Sequence, residues 1–408
     1  MQYPIYLDYN ATTPLDPEVL KVYYKALQHS FANAASRGYS LAEQVRQETE
    51  IARQTIANFI HTTPESIIFT SGATESINLA LKGAAHIYRS RGKHLITQAT
   101  EHKAVLDTYQ ALECEGFKIT TLPVNNMGLV DVDALAHAIT DETILVSIMH
   151  ANNETGVIQP INEIGKITKE RGVILHVDAA QSCGKIDVNV EEMQADLLSF
   201  SAHKMYGPKG IGALFVRKKN PYIRLEPCMH GGGHEHSMRS GTLNVPGVLA
   251  FAKACEVAQA AIKEEKQKLF NLQSFFWQKI QRELSDVALN GHPSKRLPNT
   301  LNISFGYVEG EAALKGINEK VAVSSGSACS SAVVETSYVL KAMQVPTPYA
   351  HTAIRFSLGR FTTQEEVSEA AEHVIKVIKE LRKSSPIYQV RQQGIQGGFF
   401  AKYEEVRS

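Results

Sequence analysis

The stretch DLLSFSAHKMYGPKGIGALFV, residues 196–216, decides how the rest of the chain reads. An apolar run at 197–200 leads straight into Ser201, Ala202, His203 and Lys204. Gly207, Pro208 and Gly210 then turn the chain into a second short strand through Gly212 and Phe215. A lysine at the mouth of a buried strand is poorly hydrated, which lowers the pKa of its ammonium and yields a usable amine nucleophile and base. Alone, such a lysine is more simply a surface side chain lying along apolar neighbours. The upstream stretch GVILHVDAAQSCG, residues 172–184, reverses that reading. Its β-rich run at 173–177 ends in Asp178, and a carboxylate at the carboxyl end of a parallel strand faces the crevice where α/β sheets bind ligands.

A strand-end lysine and a strand-end acid are the two groups that pyridoxal phosphate (PLP) asks of a protein. The amine takes the aldehyde, and the acid keeps the pyridine nitrogen protonated so that the ring draws electrons. A third stretch, IIFTSGATESINLALKGA at 67–84, passes from a strand through Ser71, Gly72, Ala73 and Thr74 into a helix. Free amides at a helix start, its positive dipole end and the Thr74 hydroxyl suit a phosphate. The same pattern also simply caps helices, so its weight comes from the Lys204 and Asp178 beside it.

Composition sets the limits. The chain has 408 residues, 43% hydrophobic and 21% charged, with 42 basic against 42 acidic side chains. That length allows two to three domains with ample core, and the charge balance provides no bulk field for nucleic acid or anionic membrane. No uninterrupted apolar run reaches about 18 residues and no signal-peptide pattern opens the chain, so neither a membrane span nor a leader is expected. Five scattered cysteines (Cys114, Cys183, Cys228, Cys255, Cys329) argue for a reducing, cytoplasmic compartment rather than a disulfide framework.

Strand-like runs at 67–70, 94–97, 119–122, 144–148, 173–177 and 197–200, mostly separated by helical stretches, predict a largely parallel sheet covered on both faces. A helix over 41–60 is expected to open with Ser40 and Glu43 as a capping box. The long helical stretch at 246–284 reads as a connector to an α+β part with strands at 300–305, 321–324 and 353–357. A closing helix starts near Thr362, with Glu365 as its capping box. The tail from Ser385 reads as a loop or fraying end, or else as a docking segment through Phe399, Phe400 and Tyr403.

Other stretches add candidates. His102 and the pair Asn152-Asn153 follow strands, where an imidazole can stack on a planar cofactor and an amide can hold a ring hydroxyl or a carboxylate. In MHGGGHEHSMRSGT, residues 229–242, three histidines invite a metal, but the glycine run disfavours a chelating helix. A loop bringing Arg239, Ser240 and Thr242 to an anion fits better. Cys114 and Cys255, on helices, read as inert packing. Cys329, in VAVSSGSACSSA at 321–332, reads instead as an accessible thiolate on a loop. Arg355, in the strand-like AIRFSLGR, reads equally as a carboxylate grip or a structural ion pair.

Together YLDYNATTP, FTSGATESINLA, TEHKAVLD, HANNETGVIQ, HVDAAQSCGK, SFSAHKMYGPKGIGAL, MHGGGHEHSMRSGT, SSGSACSSA and IRFSLGRFTT span nearly the whole chain. The chain resembles the cysteine desulfurases of the IscS/NifS type, in the class V aminotransferase-like family. The resemblance implies an α/β, PLP-dependent transferase fold of type I (aspartate aminotransferase-like). Its large PLP-binding domain would span 15–260. Residues 1–14 and 261–385 would form the smaller domain carrying the cysteine loop, and 386–408 a tail. It implies that Lys204 takes the cofactor aldehyde, Asp178 pairs with the ring nitrogen, Gln181 bonds the phenolic oxygen and His102 stacks on the ring. Ala73, Thr74, Ser201 and His203 would hold the phosphate, with Thr242 reaching in from the other subunit of a homodimer. Asn33, Asn153 and Arg355 would seat the substrate carboxylate. Cys329 would take the sulfur of L-cysteine, pass it to an iron–sulfur scaffold protein and other acceptors, and transiently ligate a 2Fe–2S cluster shared with that scaffold. Two departures stand out: Ala34 replaces the family's usual proline, and the tail after Pro386 differs. A selenocysteine lyase, a PLP aminotransferase and a non-catalytic scaffold are the rival readings.

Overall fold

The computed structural model describes residues 4–325 and 336–392. Cys329 and the tail aromatics Phe399, Phe400 and Tyr403 lie outside the described residues. The chain opens with β1 (Ile5–Tyr6), α1 (Pro17–His29) and α2 (Ser40–Phe59). It then alternates: β2 (Ile67–Thr70), α3 (Ala73–Tyr88), β3 (His94–Gln98), α4 (Lys103–Cys114), β4 (Lys118–Leu122), α5 (Val132–Ala138), β5 (Thr143–Ser147), α6 (Ile161–Glu170) and β6 (Ile174–Asp178). Two strands, β7 (Leu197–Ser201) and β8 (Gly212–Val216), precede the 39-residue α7 (Val245–Glu283). The rest comprises β9 (Val287–Leu289), β10 (Thr300–Phe305), α8 (Gly310–Asn318), β11 (Val321–Ala322), β12 (Ser324–Ser325), α9 (Tyr338–Ala342), α10 (Thr347–Ala350), β13 (Ala353–Ser357), α11 (Gln364–Lys383) and α12 (Pro386–Gln392).

The large sheet runs β2-β8-β7-β6-β5-β3-β4. It is parallel from β7 to β4, and only β8 runs against both its neighbours. Its central strands β3, β5, β6 and β7 are buried at every position because both faces are covered. Along β2, Ile67 and Phe69 face one core cluster while Ile68 faces another; Leu197 and Leu198 of β7 divide in the same way. A smaller sheet, β12-β13-β10-β9, gathers a third core around Leu301, Ile303, Phe305, Ile354 and Phe356.

The connector expected at 246–284 is α7, and its sequence explains why it joins both parts. Val248, Phe251, Cys255 and Ala258 recur at three–four spacing and pack into the large-sheet core, with Phe251 against Phe200 at 5.4 Å. Leu269, Leu272, Phe276 and Ile280 repeat the spacing into the smaller core, with Phe276 against Phe356 at 4.9 Å. One 18-residue window of α7, with mean hydropathy 1.3, is apolar enough to cross a membrane by length and composition; half of that window is buried inside the protein. This is a core helix.

Several local expectations are corrected. Residues 321–324 are not one strand: β11 pairs with β1, β12 pairs with β13, and between them the Val323 amide donates to Asn318. Ser40 is already the first helical residue of α2, so it caps nothing, and Glu43 instead pairs with Arg46 and Gln47. At α11 the capping box is Thr363 with Glu366, one residue later than expected, because the Thr362 hydroxyl accepts from the Gly359 amide. Cys255 is buried, but Cys114, the last residue of α4, is exposed rather than packed. The start of the tail is helical rather than looped: Tyr388 of α12 rests against Tyr307 at 5.8 Å.

The glycine-rich stretch at 229–242 is tied to the large sheet by one buried ion pair. Arg53 of α2 grips both carboxylate oxygens of Glu235 at 2.8 Å, and Glu235 also accepts from the Phe69 amide of β2. Three successive non-glycine residues with φ near +50 to +60°, Glu235, His236 and Ser237, sit at this anchor. Removing one member leaves a buried charge unpaired. Arg53→Met is therefore expected to destabilise the protein by about 3–5 kcal/mol in urea unfolding, and Arg53→Met with Glu235→Leu by clearly less; equal losses would show that the pair does not anchor this loop.

Candidate active site

The carboxyl ends of the parallel strands open into a cleft of about 740 Å³. Asp178 ends β6; Ser201 ends β7, and His203 and Lys204 occupy the 3₁₀ turn after it. Ala73 and Thr74 start α3, His102 immediately precedes α4, and Asn153 follows β5. The N-terminal segment, with Asp8 and Asn10, and the smaller sheet, with Ser324 and Arg355, close the opposite side. A second cavity of about 400 Å³, lined among others by Tyr88, Arg217 and Tyr222, lies at the other edge of the sheet and contains none of these residues.

The α3 start depends on two glycines. Gly72, with φ +154°, precedes the helix and supplies no side-chain cap. A Cβ on Gly212 of β8 would come within 2.7 Å of the Gly72 Cα, so the turn presses directly onto the strand. Glu75 accepts from the Ser71 amide and is held by Arg239 at 2.8 Å. Arg239, expected to approach a bound anion, thus pairs with the protein's own carboxylate. The first turn of α3 lines the cleft beside Ser201 and His203.

Lys204 Nζ donates to the backbone carbonyls of Asn10 at 2.6 Å and Ala11 at 2.8 Å. Asp178 is 4% exposed and accepts from the Ala180 amide at 2.9 Å. Burial raises its carboxyl above the ordinary range, while His102, the Ala180 amide and Lys204 pull it back. Burial also lowers His102, whose Nδ1 accepts from the Ala104 amide at 3.1 Å, so the neutral ring carries its proton on Nε2. His203, bonded to Thr12 through Nδ1 at 3.1 Å, is lowered to about 4 by burial and by neighbouring lysines, Lys204 first. Gln181 donates through Nε2 to the Asn10 carbonyl at 3.0 Å.

Arg355 is paired: Nη2 donates to Asp8 at 2.6 Å and Nη1 to the Asn153 carbonyl at 2.9 Å. Among the described residues, its buried Nε and the buried Oδ1 of Asn153 have no partner. The donor set fits PLP. Among the described residues Asp178 has no salt-bridge partner and Asn153 Oδ1 no donor, and a helix start beside Thr74, Ser201 and His203 suits a phosphate. Asn33 and Thr242 do not line the cleft; both are exposed, and Asn33 accepts from the Ala35 amide. Asn152 is taken up locally, bonding Thr100, Glu154 and Thr155. Among the described residues, no group of His, Cys, Asp or Glu is arranged to hold a metal.

Sequence reasoning missed Asn10, Asp8 and Lys185, and also two buried acids beside the cleft. Glu101 bonds the Met149 amide at 2.6 Å, and burial holds its carboxyl well above the usual range. Glu154, 2% exposed, is raised to about 7 by burial and accepts from Ser337 at 2.6 Å. An acid whose folded pKa is raised favours folding when protonated; stability falls as pH rises from its unfolded value through about 7. Glu154→Gln removes this term, so the stability of the variant relative to the parent should rise by about 3 kcal/mol between pH 4 and 8. Urea unfolding at intervals across that range measures it, and a pH-independent difference would contradict the assignment.

A family profile, Aminotransferase class-V, matches residues 5–369. Cysteine desulfurase IscS of Anaeromyxobacter sp. (strain Fw109-5) is 50% identical over 395 residues, covering 97% of this chain and 97% of that protein. A solved NifS-like protein superposes with TM-score 0.87 at 35% identity, over 93% of this chain and all of that one. A structure of SspA in complex with cysteine gives TM-score 0.77 at 36% identity, over 88% and 99% of the two chains.

Proposed function

This chain belongs to the class-V aminotransferase family, and from that premise we propose that it is a PLP-dependent cysteine desulfurase: it converts L-cysteine to L-alanine and carries the sulfur away as a persulfide on Cys329. The observation that carries this reading is the convergence of Lys204, Asp178 and Arg355 on one cleft at the strand ends.

Lys204 would hold the cofactor aldehyde, Asp178 the ring nitrogen, Gln181 and Asn153 the ring oxygen, and His102 would lie against the ring. Ala73, Thr74, Ser201 and His203 receive the phosphate. Bound there, PLP supplies an electron sink for charge developing at the substrate α-carbon. Arg355, with Asn153, seats the substrate carboxylate; its planar fork is already oriented by Asp8. The amine of Lys204, or His102, moves the α-proton. The Cys329 thiolate then attacks the substrate sulfur: a sulfur–sulfur bond forms, the carbon–sulfur bond breaks, and its electron pair leaves with the carbon skeleton that becomes alanine after protonation.

The persulfide passes to acceptor proteins, among them an iron–sulfur scaffold with which Cys329 transiently shares a 2Fe–2S cluster, and to tRNA thiolation. The enzyme works in the cytoplasm as a homodimer, with Thr242 reaching the phosphate of the neighbouring subunit. The exposure of Thr242 supports this, as does the apolar row of Leu20, Tyr24 and Leu27 on α1 with Phe31 just beyond, the last 71% exposed.

The test is turnover of L-cysteine by the PLP-loaded protein in the presence of a reductant. Sulfide and alanine are expected in equal amounts, and Cys329→Ser should lower both by at least about a hundredfold, as loss of a nucleophile does. Alanine persisting in the variant would remove Cys329 from the mechanism, and no turnover by the loaded parent would overturn the proposed activity.

A further inference from the structure

A second lysine lies beneath the cleft floor, outside the roles assigned above. Lys185 follows Gln181 by four residues in the turns after β6 and is 8% exposed. Its Nζ donates to Gln181 Oε1 at 2.8 Å and to Asn10 Oδ1 at 3.1 Å. Among the described residues it has no carboxylate partner. Burial, and then the like charges of Lys204 and Arg355, drive its ammonium far below the ordinary lysine range, against Glu265 and Cys183. An uncharged amine still has two N–H bonds, and the two amide oxygens use both.

The two ends of a carboxamide are nearly the same size, so hydrogen-bonding neighbours decide which end points where. The Asn10 carbonyl can only accept, so it takes the Nε2 end of Gln181, and Lys185 donates to the Oε1 end. The oxygen is therefore held at Lys185 and the N–H end at the Asn10 carbonyl, on the cleft that Gln181 and Asn10 both line. We propose that Lys185 is a positioning residue, holding the Gln181 carboxamide with its N–H end toward the cofactor's ring oxygen. This rests on the reading of the cleft as a PLP site. It gives Lys185 a role in tuning the cofactor without contact to it.

A donor aimed at the ring oxygen stabilises its anion in the deprotonated chromophore. Without that donor, the chromophore keeps its proton to higher pH. The experiment titrates the visible absorption of bound PLP against pH in the parent, Lys185→Met, Gln181→Leu and the double variant, with urea unfolding of each measured alongside. Lys185→Met should raise the apparent pKa of the band by about one pH unit, the size of one neutral hydrogen bond. In the Gln181→Leu background the same change should add nothing, because the group being oriented is gone. Lys185→Gln, which keeps a donor and removes the amine, should titrate close to the parent, and it serves as the test if Lys185→Met folds poorly. The inference is overturned by an unshifted band in folded Lys185→Met, by an equal shift with and without Gln181, or by a full shift in Lys185→Gln. A parent protein that develops no such band on adding PLP would instead overturn the cofactor reading, and this inference with it.

Discussion

One buried asparagine holds the cleft together. Asn10 is 1% exposed, and its backbone carbonyl accepts from both Lys204 and Gln181. Its side-chain oxygen accepts from Lys185 and Asn299, and its side-chain nitrogen reaches Thr300 and the Asn153 carbonyl. These partners come from the end of the large sheet, from the smaller sheet and from the turn after β5. A buried polar group costs stability unless all its bonds are made, so satisfying Asn10 forces these elements into one arrangement. The strand ends, the N-terminal segment and Arg355 therefore meet by necessity rather than by coincident packing.

Around this junction, burial shifts most ionisable groups toward their neutral forms. His102 and His203 are lowered, Glu101 and Glu154 are raised, and Lys185 is lowered. Asp178, although raised, is drawn back by the imidazole, amide and ammonium around it. Arg355 is compensated by Asp8. The cleft is thus built largely of groups whose charged forms burial disfavours, around a few compensated charges. Such a site can accept an anionic cofactor and a zwitterionic substrate without first exchanging a large field of its own.

Much of this was legible in the chain. The alternation of apolar runs with helical stretches placed the parallel sheet, and residues at the ends of those runs, Asp178, Lys204 and Asn153, fall on the cleft because the carboxyl ends of parallel strands share one edge. What stayed hidden depended on distant partners. Nothing near residues 321–324 shows that one pair of residues joins β1 and the next joins β13. Overlapping Ser/Thr-x-x-Glu patterns do not reveal which hydroxyl is already engaged, as Thr362 is with Gly359. Asn10 and Lys185 were passed over because a polar residue in a turn and a lysine after a glycine look like solvated surface. Only the tertiary fold buries them. Lys185 did carry one signal, its four-residue spacing from Gln181.

Lys204 is the amine on which the proposed cofactor site depends. Borohydride reduction of the PLP-loaded protein, followed by peptide mass spectrometry, measures this directly. One pyridoxyl phosphate group per chain, on the peptide containing Lys204, is the result the geometry predicts. Label on Lys185 or Lys209 with Lys204 unmodified, or no label at all, would contradict it.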